Sequence, residues 1–454
     1  MSWRRSLYAL TSLVAAERSE AALGKLWQIK LGGKLTQTVV AAGLAFVSPI
    51  EQQTLYALNV DSGKEAWRFV AGGRIDSAPT LHNGTVLFGC ADGCVYCLRA
   101  GDGALAWRYR VAPEDKQMTS YQQFESVWPV HGCVLVQNDT VYALAGRNMF
   151  FDGGMRLVLL DPITGKRISE TVLDEKDPVT GENLQTLISA KYMPIANRDV
   201  LSSDGDRIYM REQNFDMKGK RIGVAPTQRN RTGEQSRRHL FCQTGLLDDL
   251  WFHRSYWIYG SDCGEGWGAY ANPRRNMPCG RIMVLDDTRA YAFRSDPLGN
   301  MLHPRTTYDL YAASKDPSAA PLPPTKKGAP GKKSKRSGGL ATLWRVSSPP
   351  LLVNAMALGG RSLFIAGPPD AADETRMLGF LPGADDDLNH ELHAQKDAWQ
   401  GKSGGVLWAV SADTGEKLAE YKLDSFPVFD GMSLADGKLF MSLKDGTVAC
   451  YAEK

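Results

Sequence analysis

Residues 54–67 read TLYALNVDSGKEAW and residues 94–107 read CVYCLRAGDGALAW, one pattern written twice, 40 residues apart. In the first copy Leu55-Tyr56-Ala57-Leu58 leads through Asp61-Ser62-Gly63-Lys64 to Trp67. In the second, Val95-Tyr96-Cys97-Leu98 leads through Asp102-Gly103 to Trp107. Trp27 stands a further 40 residues before Trp67. The apolar run has the β-branched and aromatic content of a strand. The glycine that follows supplies a turn, and the tryptophan lies on the next strand.

The frame extends outward from these copies. It returns at Leu157-Val158-Leu159-Leu160 with Gly165, and at Leu407-Trp408-Ala409-Val410 with Gly415. There the tryptophan slot holds Ser169 and Ala419. Upstream of each copy is a hairpin signal: Asn83-Gly84, His131-Gly132, Gly359-Gly360 and Asp436-Gly437. Asp92-Gly93 and Asp445-Gly446 turn into the following strand. Each unit therefore reads as four antiparallel strands in about 40 residues, the size of one propeller blade. A single blade cannot cover both its faces, so blades must stack around a ring.

The combination of apolar-Tyr-Ala-Leu, an Asp/Thr-Gly turn and Trp resembles the pyrroloquinoline-quinone-like repeat of bacterial quinoprotein dehydrogenases and of BamB-type outer-membrane assembly propellers. That resemblance implies that Trp27, Trp67 and Trp107 dock between neighbouring blades, with Gly63 and Gly103 as their turn partners, and Gly165 and Gly415 in the same role. Glu125-Ser126-Val127-Trp128-Pro129-Val130 and the stretch from Ala145 to Gly154 are similar to bacterial members of this repeat family that carry no assigned function. The match is clear at both ends of the chain and poor between about 175 and 345.

The expected fold is an all-β propeller of seven four-stranded blades, with eight as the alternative. Inner strands are expected near Thr36, Ser77, Ser126, Asp199, Arg281, Leu351 and Val428. The last blade, 426–452, holds only three strands, and the segment Gly24 to Leu31 with Trp27 has no blade of its own. It is expected to complete the last blade and close the ring, which removes exposed edges. Residues 1–24 read as an N-terminal extension and 25–454 as one propeller domain. In the extension, Arg4 and Arg5 precede an apolar stretch as in a weak secretory leader, while Leu7-Tyr8-Ala9-Leu10 also fits the repeat.

Three insertions depart from the plain ring. Residues 212–239 are polar and Arg-rich and read as a long loop. Residues 316–339 carry six basic residues between Pro323 and Gly338 and no acid, the composition of a solvated loop. Residues 368–403 include Asp385, Asp386, Asp387, His390 and His393 without a recognised ligand spacing, and read as an acidic exposed loop rather than a metal site. Between about 245 and 280 aromatic and basic residues are dense: Trp251, His253, Arg254, Tyr256, Trp257, Trp267, Tyr270 and Arg274. They are candidate ligand-binding residues, since Trp, Tyr and Arg dominate binding hot spots. The alternative is that alternate residues of a strand here pack between blades.

Composition narrows the function classes. With 43% hydrophobic residues, 23% charged and a net charge of +3, nothing points to nucleic acid or an anionic membrane. No apolar run is long enough to span a bilayer as a helix. P-loop, Gly-x-Ser-x-Gly and His-Glu-x-x-His motifs are missing. So is Cys-x-x-Cys-His, the covalent haem motif. Of the eight cysteines, Cys90, Cys94 and Cys97 share one hairpin and read as buried thiols, with a Cys90–Cys94 bridge as an alternative. Cys263 and Cys279 could staple the Trp267 region in an oxidising compartment.

Two functions follow. The first is a non-catalytic, monomeric scaffold that presents a funnel and long loops to a protein, peptide or glycan; the resemblance implies an extracytoplasmic, cell-envelope setting. No catalytic residue, metal ligand or cofactor is assigned under it. The second is a quinoprotein-like oxidoreductase holding pyrroloquinoline quinone and Ca²⁺, with a polysaccharide-acting propeller as a further variant. Many quinoprotein alcohol dehydrogenases carry a vicinal Cys-Cys pair and a longer chain, and this sequence has neither.

Overall fold

A computed structural model describes residues 23–132, 134–187, 198–210, 213–222, 238–242, 257–260, 277–295, 307–316, 340–373, 376 and 386–453. Blade 1 is the antiparallel sheet Val39–Ala41, Leu44–Val47, Thr54–Asn59 and Glu65–Val70. Blade 2 is Thr80–His82, Thr85–Gly89, Cys94–Arg99 and Leu105–Arg110. Blade 3 is Leu135–Gln137, Thr140–Ala145, Met155–Leu160 and Arg167–Leu173. Blades 4 and 5 each show three strands: Ser202–Ser203, Arg207–Met210 and Gln213–Asp216, then His239–Cys242, Trp257–Gly260 and Cys279–Gly280. Blade 6 is Ile282–Leu285, Arg289–Ser295, Tyr308–Ser314 and Thr342–Ser347. Blade 7 is Ala355–Gly359, Ser362–Gly367, Gly405–Ser411 and Lys417–Leu423.

Blade 8 closes the ring as expected. Its sheet runs Leu23–Lys30, Thr447–Glu453, Lys438–Leu443, Pro427–Ala435, so the N-terminal strand pairs with the C-terminal one. Trp27 pairs with Cys450 in that register. The count is thus eight, not the seven of the primary reading. The extra blade is 239–280, whose described strands are short. Two loop expectations also change. Residues 213–216, inside the expected loop 212–239, form a strand of blade 4. Residues 386–399, inside the expected acidic loop, form a helix that buries Leu388, Gln395 and Ala398. In blade 3 the hairpin turn is Asn138-Asp139, with φ +49° and +52°, rather than His131-Gly132.

The innermost strand is the first one named in blades 1 to 7 and Pro427–Ala435 in blade 8. Innermost strands of neighbouring blades approach one another: Val39–Ala41 lies by Pro427–Ala435, and Ala355–Gly359 by both Pro427–Ala435 and Ile282–Leu285. Last strands face water instead, with a single buried position in an exposed run, as in Glu65–Val70 and Leu105–Arg110. That buried position is the tryptophan. Its indole nitrogen donates to a carbonyl of the next blade: Trp27 to Val60 (2.9 Å), Trp67 to Ala100 (2.9 Å), Trp107 to Pro162 (3.0 Å) and Trp344 to Ala412 (2.8 Å). Each ring lies flat on the next blade's turn glycine, Gly63, Gly103, Gly165 and Gly415 in order. Gly63 therefore partners Trp27, not the Trp67 that follows it in its own blade. Where tryptophan is missing, other side chains make the joint. Ser169 donates to Lys218 O (3.1 Å) and Thr171 to Gly219 O (2.8 Å) across blades 3 and 4.

Candidate functional site

The chain enters each innermost strand from the previous blade's outermost one, so these entries gather at one end of the axis. Their polar side chains form two arcs. In the first, Arg74 precedes blade 2, and Glu125 lies on a two-stranded hairpin, Gln117–Ser120 with Gln123–Ser126, inserted before blade 3. Arg74 and Arg147 each donate to one oxygen of Glu125. Arg74 also reaches Ser120 O (3.2 Å) and covers the Tyr121 ring at 4.7 Å; Arg147 reaches Val127 O (2.6 Å). Arg74 and Glu125 are buried. An ion pair taken out of water is costly unless each charge is fully hydrogen-bonded, and here both carboxylate oxygens are.

Beside it, His131 Nδ1 meets Asp76 Oδ2, and His131 Nε2 lies 3.0 Å from Arg198 Nη1. A guanidinium only donates, so Nε2 accepts and the ring proton sits on Nδ1, donated to Asp76. Burial works to raise the Asp76 pKa, but His131, Arg74 and Arg198 outweigh it and hold the carboxyl below the usual range. Asp76 Oδ1 and Ser77 Oγ are buried with no partner among the described residues.

The second arc spans blades 6, 7, 8 and 1. Arg281 donates to Asn354 Oδ1 (3.2 Å), and Asn354 Nδ2 donates to Pro427 O (2.8 Å). The Arg281 guanidinium also lies 5.0 Å from the Phe429 ring and 5.8 Å from Trp399, at the end of the helix Asp386–Trp399. Gln37 of the entry to blade 1 donates to Phe429 O (3.3 Å). Asp430 N donates to Asn354 O (2.8 Å). Burial pushes the Asp430 carboxyl up to about 7.

Of the sequence-nominated binding residues, Trp257 is half-buried on its strand. With Leu240 and Tyr259 it packs against Met283, Ala292 and Tyr311 of blade 6. It thus takes the inter-blade role set out as the alternative. Trp251, His253, Arg254, Tyr256, Trp267, Tyr270 and Arg274 lie outside the described residues, as do most of 316–339 and Cys263. Cys279 is a free buried thiol, as are Cys90, Cys94, Cys97 and Cys450. His390 lies on the helix Asp386–Trp399, as does His393, whose Nδ1 is 2.7 Å from Asn389 O. Among the described residues no group of three or more His, Cys, Asp or Glu side chains is placed to hold a metal. Nor is any described helix long and apolar enough to cross a membrane.

The axial residues have no linear motif because each arc draws them from several blades. The one signal is position: Arg74, Asp76, Glu125, Arg281 and Asp430 stand within a few residues of expected inner-strand starts.

Residues 15–233 match the family model described as outer membrane protein assembly factor BamB. A stretch of 115 residues is 32% identical to outer membrane protein assembly factor BamB of Yersinia pestis, covering 21% of this chain and 29% of that protein. The match therefore spans less than a third of that relative. Among solved structures, BamB from Moraxella catarrhalis aligns over 96% of this chain and 98% of its own, with 12% identity and a TM-score of 0.47. A quinohemoprotein alcohol dehydrogenase from Pseudomonas putida HK5 aligns over 95% and 76%, with 13% identity and a TM-score of 0.44.

Proposed function

We infer that this chain, whose residues 15–233 are of the BamB repeat type, is a non-catalytic, monomeric scaffold that holds a protein partner at the cell envelope. The carrying observation is the first axial arc. Both oxygens of Glu125 are taken by arginines, and both nitrogens of His131 are taken by Asp76 and Arg198. Glu125 and His131, held on both sides, join blades and are not poised for proton transfer. The relative's description as an assembly factor supports a protein rather than a glycan as the partner class. The contact surface falls to the aromatic and basic stretch around Trp251 and Arg254.

Pyrroloquinoline quinone with Ca²⁺ fits the described rim poorly. Ca²⁺ takes six to eight oxygen ligands, whereas both oxygens of Glu125 are committed to arginines and Asp76 gives Oδ2 to His131, which leaves Asp76 Oδ1 and Ser77 Oγ as the buried oxygens of this arc without a partner among the described residues. The test is paired. Crosslinking of the wild type in envelope extract captures a partner that Trp251→Ala and Arg254→Ala lose by about ten-fold or more. The melting temperature stays fixed at saturating quinone and Ca²⁺. A clear rise with quinone, or equal capture by both variants, would count against the scaffold.

A further inference from the structure

Neutral His131 has a single acceptor nitrogen, and Arg198 holds it. The residue is buried, with Nδ1–H donated to Asp76 and Nε2 accepting from Arg198 Nη1 (3.0 Å). That second contact exists only while the imidazole is neutral, because an imidazolium donates from both nitrogens and a guanidinium cannot accept. A proton on Nε2 sets one N–H against another at hydrogen-bonding distance, with like charges behind them. Asp76 stays ionised meanwhile: burial works to raise its carboxyl, but His131, Arg74 and Arg198 hold it below the usual range.

The linked charges of this arc decide which partner leaves. Arg74 and Asp76 come from the entry to blade 2, Glu125 from the hairpin, Arg147 from just beyond the strand Thr140–Ala145, and Arg198 from the entry to blade 4. Arg74 and Arg147 share Glu125, and His131 takes Asp76. With His131 neutral, these three arginines stand against two carboxylates. Protonation with Arg198 in place adds a second uncompensated charge to a buried cluster. Exchanging Arg198 for the proton leaves the balance unchanged. Arg198 is otherwise held by its amide, which donates to Arg147 O at the long distance of 3.2 Å. From Arg198 the chain runs through the buried Asp199 and Leu201 into Ser202–Ser203, the innermost strand of blade 4. We propose that His131 is an acid-sensitive latch: on acidification a proton takes Nε2, Arg198 is displaced, and the entry to blade 4 loosens. The latch is independent of the scaffold reading, since it acts between blades whatever the rim holds.

Two measurements on the full chain test it. Nitrogen NMR of histidine-labelled protein, with His131 assigned by the signals lost in His131→Asn, is expected to show Nε2 unprotonated at about pH 7.5 and both ring nitrogens protonated at about pH 5. Over the same interval amide exchange in 198–203, corrected for its intrinsic pH dependence, is expected to rise about ten-fold or more. Asparagine carries both a donor and an acceptor and does not titrate, so His131→Asn should exchange slowly at both pH values. Arg198→Ala, with the latch already open, should exchange fast at both. The proposal is overturned by a protonated Nε2 at about pH 7.5 or an imidazole still neutral at about pH 5. It is equally overturned if wild-type exchange does not respond to pH, or if His131→Asn keeps the response. Should His131→Asn fail to fold, the wild-type exchange and Arg198→Ala still decide.

Discussion

Gly103 has φ +73°, and a Cβ there would stand 2.5 Å from Trp67 Cε3. Both facts forbid a side chain: the backbone is left-handed, and the indole occupies the space. Gly103→Ala is therefore expected to cost about 2–3 kcal/mol, read as a lower urea midpoint with an unchanged slope. Sequence spacing picked out the glycine and the tryptophan; which glycine receives which tryptophan is seen only once neighbouring blades stack. Asp430 makes a second prediction, this one in pH. Its folded pKa of about 7 lies above the ordinary 3.8. A raised carboxyl costs nothing while protonated in both states. Its penalty grows as pH climbs from about 4 and is complete above about 7. Asp430→Asn should thus be more stable than wild type by on the order of 2 kcal/mol at pH 8, the gain fading toward pH 4. A gain of the same size at both pH values would show that the carboxyl's charge is not the cause.

Elements are held by charge where the repeat gives no hydrophobic means. The hairpin Gln117–Ser126 exposes Met118, Tyr121 and Phe124, and its turn puts Tyr121 and Gln122 at φ +49° and +63°. It buries Glu125 between Arg74 and Arg147 to stay in place. Glu125→Ala leaves two arginines facing each other without their counter-charge and is expected to lose about 3–5 kcal/mol in denaturant unfolding. A loss under 1 kcal/mol would mean that the pair contributes little. At this scale the sequence was partly legible. Strand–turn–strand copies were plain where glycine and tryptophan recur. The hairpin, the helix Asp386–Trp399 and blade 5 were not, because they are joined by contacts distant in sequence and carry no period of their own.

Across the whole molecule, stability depends on closing the ring. The strand Leu23–Lys30 covers the edge of Thr447–Glu453, and Trp27 docks on Gly63 of blade 1. Deleting residues 1–31 uncovers that edge and breaks the joint between blades 8 and 1. Such a truncation should melt at lower temperature and self-associate with rising concentration, seen by light scattering. A monomeric truncation with wild-type melting would refute the closure role.

The sequence alone determined the blade unit, its four-stranded hairpin order and the N-terminal closure. These rest on local chemistry: strand propensity, turn glycines and a tryptophan every 40 residues. Only the tertiary structure decided the number of blades, the partner of each tryptophan and the two polar arcs. The number of blades depends on how sheets of unequal length fill a circle, and short strands such as Cys279–Gly280 leave little trace in composition. The polar arcs draw on several blades, so Arg74 meets Glu125 and Arg147, and Arg281 meets Asn354 and Phe429, only when blades stack.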